Sequence, residues 1–423
     1  MSATTVPAPA LKGPEPPSAH RPWPPVIWAL LSITLVARSF GFAYPFLSYH
    51  LKELGFTTQA VGQALAVFGI GWLIGQMLTG WATDRFGRRR TLVASMATAA
   101  VCLPLLAQAH AFAAVCAGAL IAGIVYDAAR PVVSAVIADV ITDDEQRAAV
   151  NGWRHGAVNI GAAITGVAGG LLAGRAGFEA LFWLNAAACA ACALVARHYL
   201  EADSPAGSAP STARGSVRAA LHDGRLWLLW AASTAALTCL SGMFTALPLM
   251  MDADGLGADA YGWSQAANAG AVIVLTPLLT PRLSRRCGHQ RPMVGMLACS
   301  ALLLGLGMGS AGLADTTLGY SLAVAAAVPG EIVLFIAASD VLNKISPAPS
   351  RGLYAGIWGS SLAASVVIAP VLAAASLTAG GDGLAALTTL ATGVLGAVLC
   401  LPLFGLTSRP APAAVRHPAP AAP

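Results

Sequence analysis

The chain has 423 residues, of which 57% are apolar and only 10% charged, with a formal net charge of +5 and a mean hydropathy of +0.69. A soluble globular domain usually carries about 25% charged residues. This composition therefore excludes a water-soluble globule and indicates a surface that mostly faces lipid. The basic residues lie between apolar runs and form no continuous face, so the net charge does not indicate a nucleic-acid partner.

The apolar runs predict an all-α polytopic membrane protein with twelve transmembrane helices. Each run is long enough to cross a hydrocarbon core of ~30 Å as a helix. None shows the polar–apolar alternation that a membrane β-barrel requires. The predicted spans, in chain order, are 26–51, 60–81, 91–109, 111–138, 148–173, 178–196, 226–251, 261–281, 292–312, 317–340, 355–378 and 383–406.

The basic residues in the short connections predict the orientation. Twenty of the 24 Lys and Arg residues lie in the termini and in alternate loops, whereas the opposite side holds only Lys52 and Arg175. The positive-inside rule places the richer side in the cytoplasm. Both termini are therefore predicted to be cytoplasmic, in a multi-pass protein of the cell (plasma or inner) membrane.

A weak internal repeat at an offset of 201–204 residues relates the two halves of the chain. Pro45 recurs as Pro248, and Asp139 recurs as Asp340. Two parallel six-span halves are an arrangement of secondary transporters, with the substrate site near the midplane between them. The predicted organisation is a disordered cytoplasmic tail (1–25), an N-terminal six-helix bundle (26–196), a cytoplasmic linker (197–225), a C-terminal six-helix bundle (226–406) and a second disordered tail (407–423).

The loop between the second and third spans reads GWATDRFGRRRTL from Gly80 to Leu92. This loop resembles the signature G-x-L-A-D-R-x-G-R-[RK]-x-x-L of the major facilitator superfamily, with Ala82 and Thr83 in place of the usual Leu and Ala. The resemblance implies a twelve-helix major facilitator fold in which spans one, four, seven and ten line a central cavity. It also implies that this loop latches the two halves on the cytoplasmic side, through Gly80, Asp84, Arg85, Gly87 and Arg88.

The fifth span is similar to the glycine framework G-x8-G-x3-G-P-x2-G-G of proton-coupled drug exporters. Its glycines at the matching positions are Gly152, Gly161, Gly166, Gly169 and Gly170, and Thr165-Gly166 replaces the central Gly-Pro. The stretch 120–172 and the run Arg351-Gly352-x-Tyr354-x-Gly356 resemble the multidrug exporter branch (drug:H+ antiporters). Close helix packing at small residues explains the same glycines equally well.

Four charged residues lie inside predicted spans: Arg38, Asp127, Arg130 and Glu331. An intramembrane charge is a functional hypothesis by default, because it costs about 2.5–3.5 kcal/mol even on the lenient insertion scale. Glu331 has no basic residue within one helical turn and is the first candidate for proton coupling. Asp127 is the second candidate, since a permanent ion pair with Arg130 or Arg38 is an equally good explanation of it.

Four aromatic residues are candidates for the wall of a substrate cavity, namely Tyr44, Phe46, Phe244 and Trp358, although packing between helices would also account for them. Arg154, beside His155 near the cytoplasmic end of the fifth span, is expected at the membrane interface.

The leading functional hypothesis is a monomeric secondary transporter that exports a small amphipathic organic molecule, a drug or a secondary metabolite, in exchange for protons. An importer of a small solute on the same fold is the alternative. A membrane-embedded enzyme is disfavoured, because the sequence has no paired catalytic carboxylates, metal-ligand cluster or nucleotide-binding loop. No cofactor is expected, and the predicted partners are the substrate, protons and the lipid bilayer.

Overall fold

A computed structural model describes residues 23–141, 143–201, 220–287, 292–347 and 351–407. Most of the two predicted tails and most of the predicted linker lie outside these ranges. The first part of the chain forms seven helices. They are α1 (Pro25–Ser39), α2 (Ala43–Glu53), α3 (Thr58–Phe86), α4 (Arg88–Ala107), α5 (Phe112–Tyr126), α6 (Ala129–Val140) and α7 (Asp144–Tyr199).

The described residues of the second part of the chain form, from Gly224 onward, six helices and two short 3-10 turns. The helices are α8 (Gly224–Ser241), α9 (Ala246–Ala253), α10 (Ala258–Cys287), α11 (Val294–Gly309), α12 (Thr317–Ile345) and α13 (Arg351–Thr407), and the 3-10 turns are Gly242–Phe244 and Ser310–Leu313. The described ranges contain helices and their connections but no strand, as the all-α prediction requires.

Ten segments of the described chain are long and apolar enough to cross a membrane, and two of them, Ala149–Tyr199 and Leu353–Leu406, contain more than fifty residues. A helix of that length would measure about 75–80 Å, more than twice a hydrocarbon core. Backbone breaks divide both, at Gly177 in α7 and at Gly380–Gly381 in α13. Each therefore supplies two spans, and the predicted total of twelve is confirmed.

The buried apolar side chains form two clusters, one for each six-helix bundle. One consists mainly of side chains between Ile27 and Leu200, and the other mainly of side chains between Ala220 and Leu403. A few residues cross over, since Phe46 belongs to the second cluster and Val366 to the first. The two bundles therefore share a packed contact as well as having cores of their own.

Three of the spans that the family resemblance assigns to the cavity are interrupted near their middle. The first span breaks between α1 and α2, the fourth at Asp127–Ala128 between α5 and α6, and the seventh at the 3-10 turn between α8 and α9. Such breaks expose backbone groups and helix ends, which a membrane protein tolerates only where protein or water surrounds them. Discontinuous helices of this kind form the ligand and ion sites of several transporter folds.

The two bundles touch at the end of the molecule away from the arginine-rich loops. A methyl group added at Gly62 would lie 2.4 Å from Cβ of Ala374, and one added at Gly170 would lie 2.6 Å from the Ala258 carbonyl oxygen. Aromatic contacts and an ion pair close the same end. The Tyr49 ring lies against Tyr261 of the other bundle, with ring centroids 5.7 Å apart, and Lys52 Nζ lies 3.8 Å from Asp252 Oδ2.

The opposite end is open. Gly80, Gly152 and Gly356 lie eighteen residues, or five helical turns, from Gly62, Gly170 and Ala374, and therefore on the same helix faces. No described atom of another element lies within 4 Å of a methyl group placed at any of these three glycines. The helices thus diverge towards the predicted cytoplasmic side and leave a cavity that opens there.

Candidate functional site

Asp127 is held by two arginines. Its Oδ1 lies 2.7 Å from Arg38 Nη2, and its Oδ2 lies 2.8 Å from Arg130 Nε. The Asp127 side chain is 6% exposed, whereas those of Arg38 and Arg130 are 25% and 46% exposed. The sequence left two ion pairs open as alternatives, and the structure contains both.

The interrupted helices favour these charges where they stand. Arg38 lies in the last turn of α1, where helix carbonyl groups present negative partial charge, and Asp127 lies just before the first turn of α6, where amide groups present positive partial charge. The Thr165 hydroxyl donates to the Arg38 carbonyl oxygen left by the break, and the Arg38 guanidinium carbon lies 5.8 Å from the centroid of the Tyr126 ring.

Glu331 lies in the tenth span, near Pro329 of α12, and has a different environment. Its polar neighbour is the Asn268 side chain of the eighth span. Neither Glu331 Oε2 nor Asn268 Nδ2 makes a hydrogen bond within the part of the chain that the structure describes, although both atoms are buried. A buried carboxyl without a cation beside it is disfavoured in its charged form. Asp127 is therefore paired with two arginines, whereas Glu331 has an uncharged polar neighbour.

Arg154 contacts the fourth span, and the sequence did not reveal this contact. It lies close enough to Arg130 and Asp127 to feel both charges. Its Nη1 donates to the Ser134 hydroxyl at 2.6 Å, and that hydroxyl donates to the Arg130 carbonyl oxygen at 2.9 Å. Only the packing of the fifth span against the fourth brings Arg154 here, and no sequence spacing signals it. The side chain of His155 lies outside what the structure describes.

The four aromatic candidates do not form one wall. Phe46 is fully buried and Tyr44 is 3% exposed, so neither lines the open cavity in this conformation. Phe46 packs edge-on against Tyr261 of the other bundle, and Tyr44 lies among aromatic rings that include Phe244, 5.5 Å away. Both side chains are therefore used in packing between helices.

Trp358 is partly exposed and its indole Nε1 donates to the Ser233 hydroxyl at 3.0 Å, which joins the eleventh and seventh spans. Trp230 makes the equivalent bond to Ser360 at 2.9 Å. The two tryptophans therefore present partly exposed aromatic surface in the C-terminal bundle, with their polar atoms satisfied.

The glycines of the fifth span lie at contacts between helices. A methyl group on Gly161 would be 2.5 Å from Arg38 Cβ, one on Gly166 would be 2.3 Å from Gln265 Cβ, and one on Gly169 would be 2.3 Å from the Phe46 ring. With Gly170, which meets Ala258, they allow the fifth span to approach the first and the eighth. Gly152 lies at the open end and has no such neighbour.

An ion pair joins the loop after the second span to another element of the same bundle. Arg88 pairs with Asp139 at the end of α6, and Asp340, its repeat counterpart, accepts from the Met293 amide at the start of α11 at 3.0 Å. Gly87 has φ = 91°, a left-handed conformation that favours glycine in the tight reversal. The Asp84 side chain lies outside what the structure describes.

The latch role of this loop stays a prediction, because the end of the molecule that it would close is open in this conformation. Gly80 faces open space. Arg88 does not join the two halves, because its partner belongs to its own bundle. Arg85 is exposed beside them. An open end separates the loop from the opposite bundle, which explains both findings.

At the same end, Tyr354 ties the eleventh span to the start of the seventh. Its hydroxyl donates to Asp223 Oδ2 at 2.9 Å. Burial raises the pKa of Asp223, but hydrogen bonds from Arg225 and Tyr354 outweigh it and leave that pKa below its usual value. In this conformation the Tyr354 hydroxyl therefore joins two helices of the C-terminal bundle.

Two parallel-repeat bundles around a midplane site with broken helices are the architecture of a secondary transporter. The sequence model of the Major Facilitator Superfamily matches residues 29–337, about three quarters of the chain. The chain belongs to this superfamily and is a multi-pass membrane transporter. The family that its second-to-third loop resembles is thereby confirmed.

A relative and two solved structures illustrate the similarity. The class C tetracycline resistance protein of Escherichia coli is 33% identical over 150 residues, which are 35% of this chain and 37% of that protein. The match thus spans well under half of that relative. A crystal structure of the peptide transporter POT in complex with sulfate has a TM-score of 0.72 at 17% identity and covers 91% of this chain and 96% of its own.

The POT family transporter PepTSo, solved in meso, has a TM-score of 0.77 at 14% identity and covers 92% of this chain and 99% of its own. Identities this low establish a shared fold, and they carry no substrate from one protein to the other.

Proposed function

We propose that this protein uses the proton gradient to export a small amphipathic organic molecule by alternating access. The observation that carries the proposal is Glu331, an acid buried in a membrane span whose described surroundings leave one oxygen unbonded and place no cation beside it. A carboxyl that faces each side of the membrane in turn can take up a proton on one side and release it on the other.

Asp127 is the weaker candidate for this role. Its two arginines stabilise the charged form, so we assign it to holding the first and fourth spans together. Arg38 and Arg130 are the basic side of that assembly. The proton-coupling role accordingly goes to Glu331 in the C-terminal bundle.

Alternating access needs two ends that open in turn. The end with Lys52 and Asp252 is closed here, and the arginine-rich end is open. We assign the open end to the cytoplasm on the charge distribution, with bundles at 26–196 and 226–406 moving as units. In the opposite state, Asp84 and Arg88 would then close the cytoplasmic end, which is the role that the family loop implies for them.

Export is favoured over import by the local similarity to the tetracycline resistance protein and by the glycine-rich fifth span. Inverted membrane vesicles test the direction. With an imposed gradient, acid inside, an exporter accumulates its substrate against the substrate gradient, and collapse of the proton gradient abolishes the accumulation. Uphill accumulation only in right-side-out vesicles, with the acid side outside, would establish the importer instead.

A further inference from the structure

The cavity contains more positive than negative charge at the level of Asp127. Arg38, Arg130 and Arg154 come together around this one acid. These four side chains carry a net charge of +2. The wide-open end lets water solvate that surplus in this conformation, which makes it tolerable.

Arg130 and Arg154 have donors to spare. A guanidinium offers five N–H groups, and the ion pair of Arg130 with Asp127 is made through Nε. Arg154 Nη1 donates a hydrogen bond to Ser134, and this bond holds the Arg154 side chain against the fourth span. Both side chains are partly exposed, and their remaining N–H groups are therefore accessible to a ligand in the cavity.

When the open end closes, water leaves and an unpaired charge becomes expensive. A negative group on the substrate would remove one of the two surplus charges. Closure is thus easier with an anion bound. A planar carboxylate also matches the fork of a guanidinium, which can hold it through two parallel hydrogen bonds.

We infer that the substrate is an organic acid whose carboxylate is bound by Arg130 and Arg154, with Arg38 reserved for Asp127. This inference names the substrate class and rests on the proposed transport function. The uncharged part of the molecule would face the C-terminal bundle, where Trp230 and Trp358 are partly exposed. Cationic amphiphiles would be repelled from the same site.

Paired ligands test the inference on the full-length protein. A panel of aryl carboxylates, each with its primary amide and the amine of the same skeleton, is measured for binding to purified protein by ligand-induced thermal stabilisation. We expect the carboxylates to bind at least tenfold more tightly than their amides. The Arg154→Gln variant should lose roughly 10- to 100-fold in carboxylate affinity, the usual range for a lost charge-assisted hydrogen bond. Its affinity for the amides should not change.

Two further variants separate a binding role from a structural one. Arg154→Lys keeps the charge but loses the fork, so carboxylate affinity should fall between those of the native protein and Arg154→Gln. Arg175→Gln removes the same charge from the opposite side of the membrane and should bind as the native protein does. Preference for amines or amides, binding of no carboxylate at millimolar concentration, or equal carboxylate affinity in Arg154→Gln would overturn the inference.

The same panel in inverted vesicles with an imposed pH gradient distinguishes the two proposals. Proton-driven accumulation of amines or neutral amides without carboxylates would refute the acid substrate and leave proton-driven export standing. Arginine-dependent carboxylate binding without any proton-driven movement would uphold the substrate class and refute the coupling.

Discussion

Arg38 Nη2 and Asp127 Oδ1 lie 2.7 Å apart at the breaks of the first and fourth spans. Each of the two charged residues stands at the helix end whose partial charge favours it. The contact therefore links two discontinuous helices rather than two helix sides. It also explains why Asp127 lies so deep in a membrane protein, since a deep charge is tolerated when it is paired and close to favourable helix ends.

Replacing Asp127 by Asn should destabilise the protein by about 1–3 kcal/mol, because two arginines lose the charged partner that they share. The measurement is thermal unfolding of the purified variant in detergent. In the double variant Arg38→Gln, Asp127→Asn, part of the loss should be recovered, since one stranded charge is gone. A single variant that unfolds at the native temperature and has lost proton-driven transport would contradict the structural role and favour Asp127 as the proton carrier.

The glycine contact between the fifth and eighth spans makes a second prediction. Gly170→Ala should reduce stability by about 1–3 kcal/mol through overpacking, because the new methyl group would lie 2.6 Å from the Ala258 carbonyl oxygen. Gly174→Ala, four residues later on the same helix, is the matched control, since its methyl group meets open space. Equal unfolding temperatures for the two variants would show that the closed end is not packed as described.

The loop after the second span is the subject of the third prediction. Asp84→Asn should slow transport while the protein remains folded in the membrane, because a carboxylate there can accept charge-assisted hydrogen bonds when the cytoplasmic end closes. Initial transport rates are compared with those of Asp315→Asn, which removes an acid from a loop on the opposite side. A native rate with an unchanged pH profile for Asp84→Asn would remove the loop carboxylate from the gate.

The orientation predicts the side of the C-terminus. A reporter enzyme that is active only outside the cytoplasm, fused after Thr407, should be inactive, because most of the basic residues lie at that end of the helices. The same reporter placed in the loop after Lys52 is the positive control. Activity of the C-terminal fusion would reverse the sides of the membrane and hence the open end.

The spans, the repeat and the family could be predicted from the sequence, because apolar length, loop charge and a short motif are local properties. The breaks in the first, fourth and seventh spans were not predicted, although each is followed by a proline in the first turn of the next helix, namely Pro45, Pro131 and Pro248, which interrupts the helix hydrogen bonds one turn earlier. Arg154 was missed for another reason. Its neighbours come from the fourth span, and only the rotation of the fifth helix decides that it meets them.

The positions of the aromatic residues were also not predictable from the sequence. Tyr44 and Phe46 lie on a span that lines the cavity in the family, yet both side chains are used in packing between helices. Glu331 was identifiable, because an acid in an apolar run stands out in the sequence. Its lack of an ionic neighbour depended on the helices around it and became visible only in the fold.

Glu331→Gln is the substitution on which the central claim depends. One charge moved across 100 mV is worth about 2.3 kcal/mol, which at about 1.4 kcal/mol per tenfold supports a roughly fifty-fold gradient. The amide resembles the protonated carboxyl but cannot release a proton. The variant should therefore still bind substrate and exchange it downhill while losing all proton-driven accumulation.

The most direct measurement is proton-driven substrate uptake into inverted vesicles that contain the native protein, Glu331→Gln or Asp127→Asn at matched amounts. We predict that Glu331→Gln gives no uphill accumulation but retains downhill exchange, and that Asp127→Asn accumulates substrate in proportion to the folded protein that remains. Full pH-driven accumulation by Glu331→Gln would contradict the account and remove this carboxyl from the mechanism.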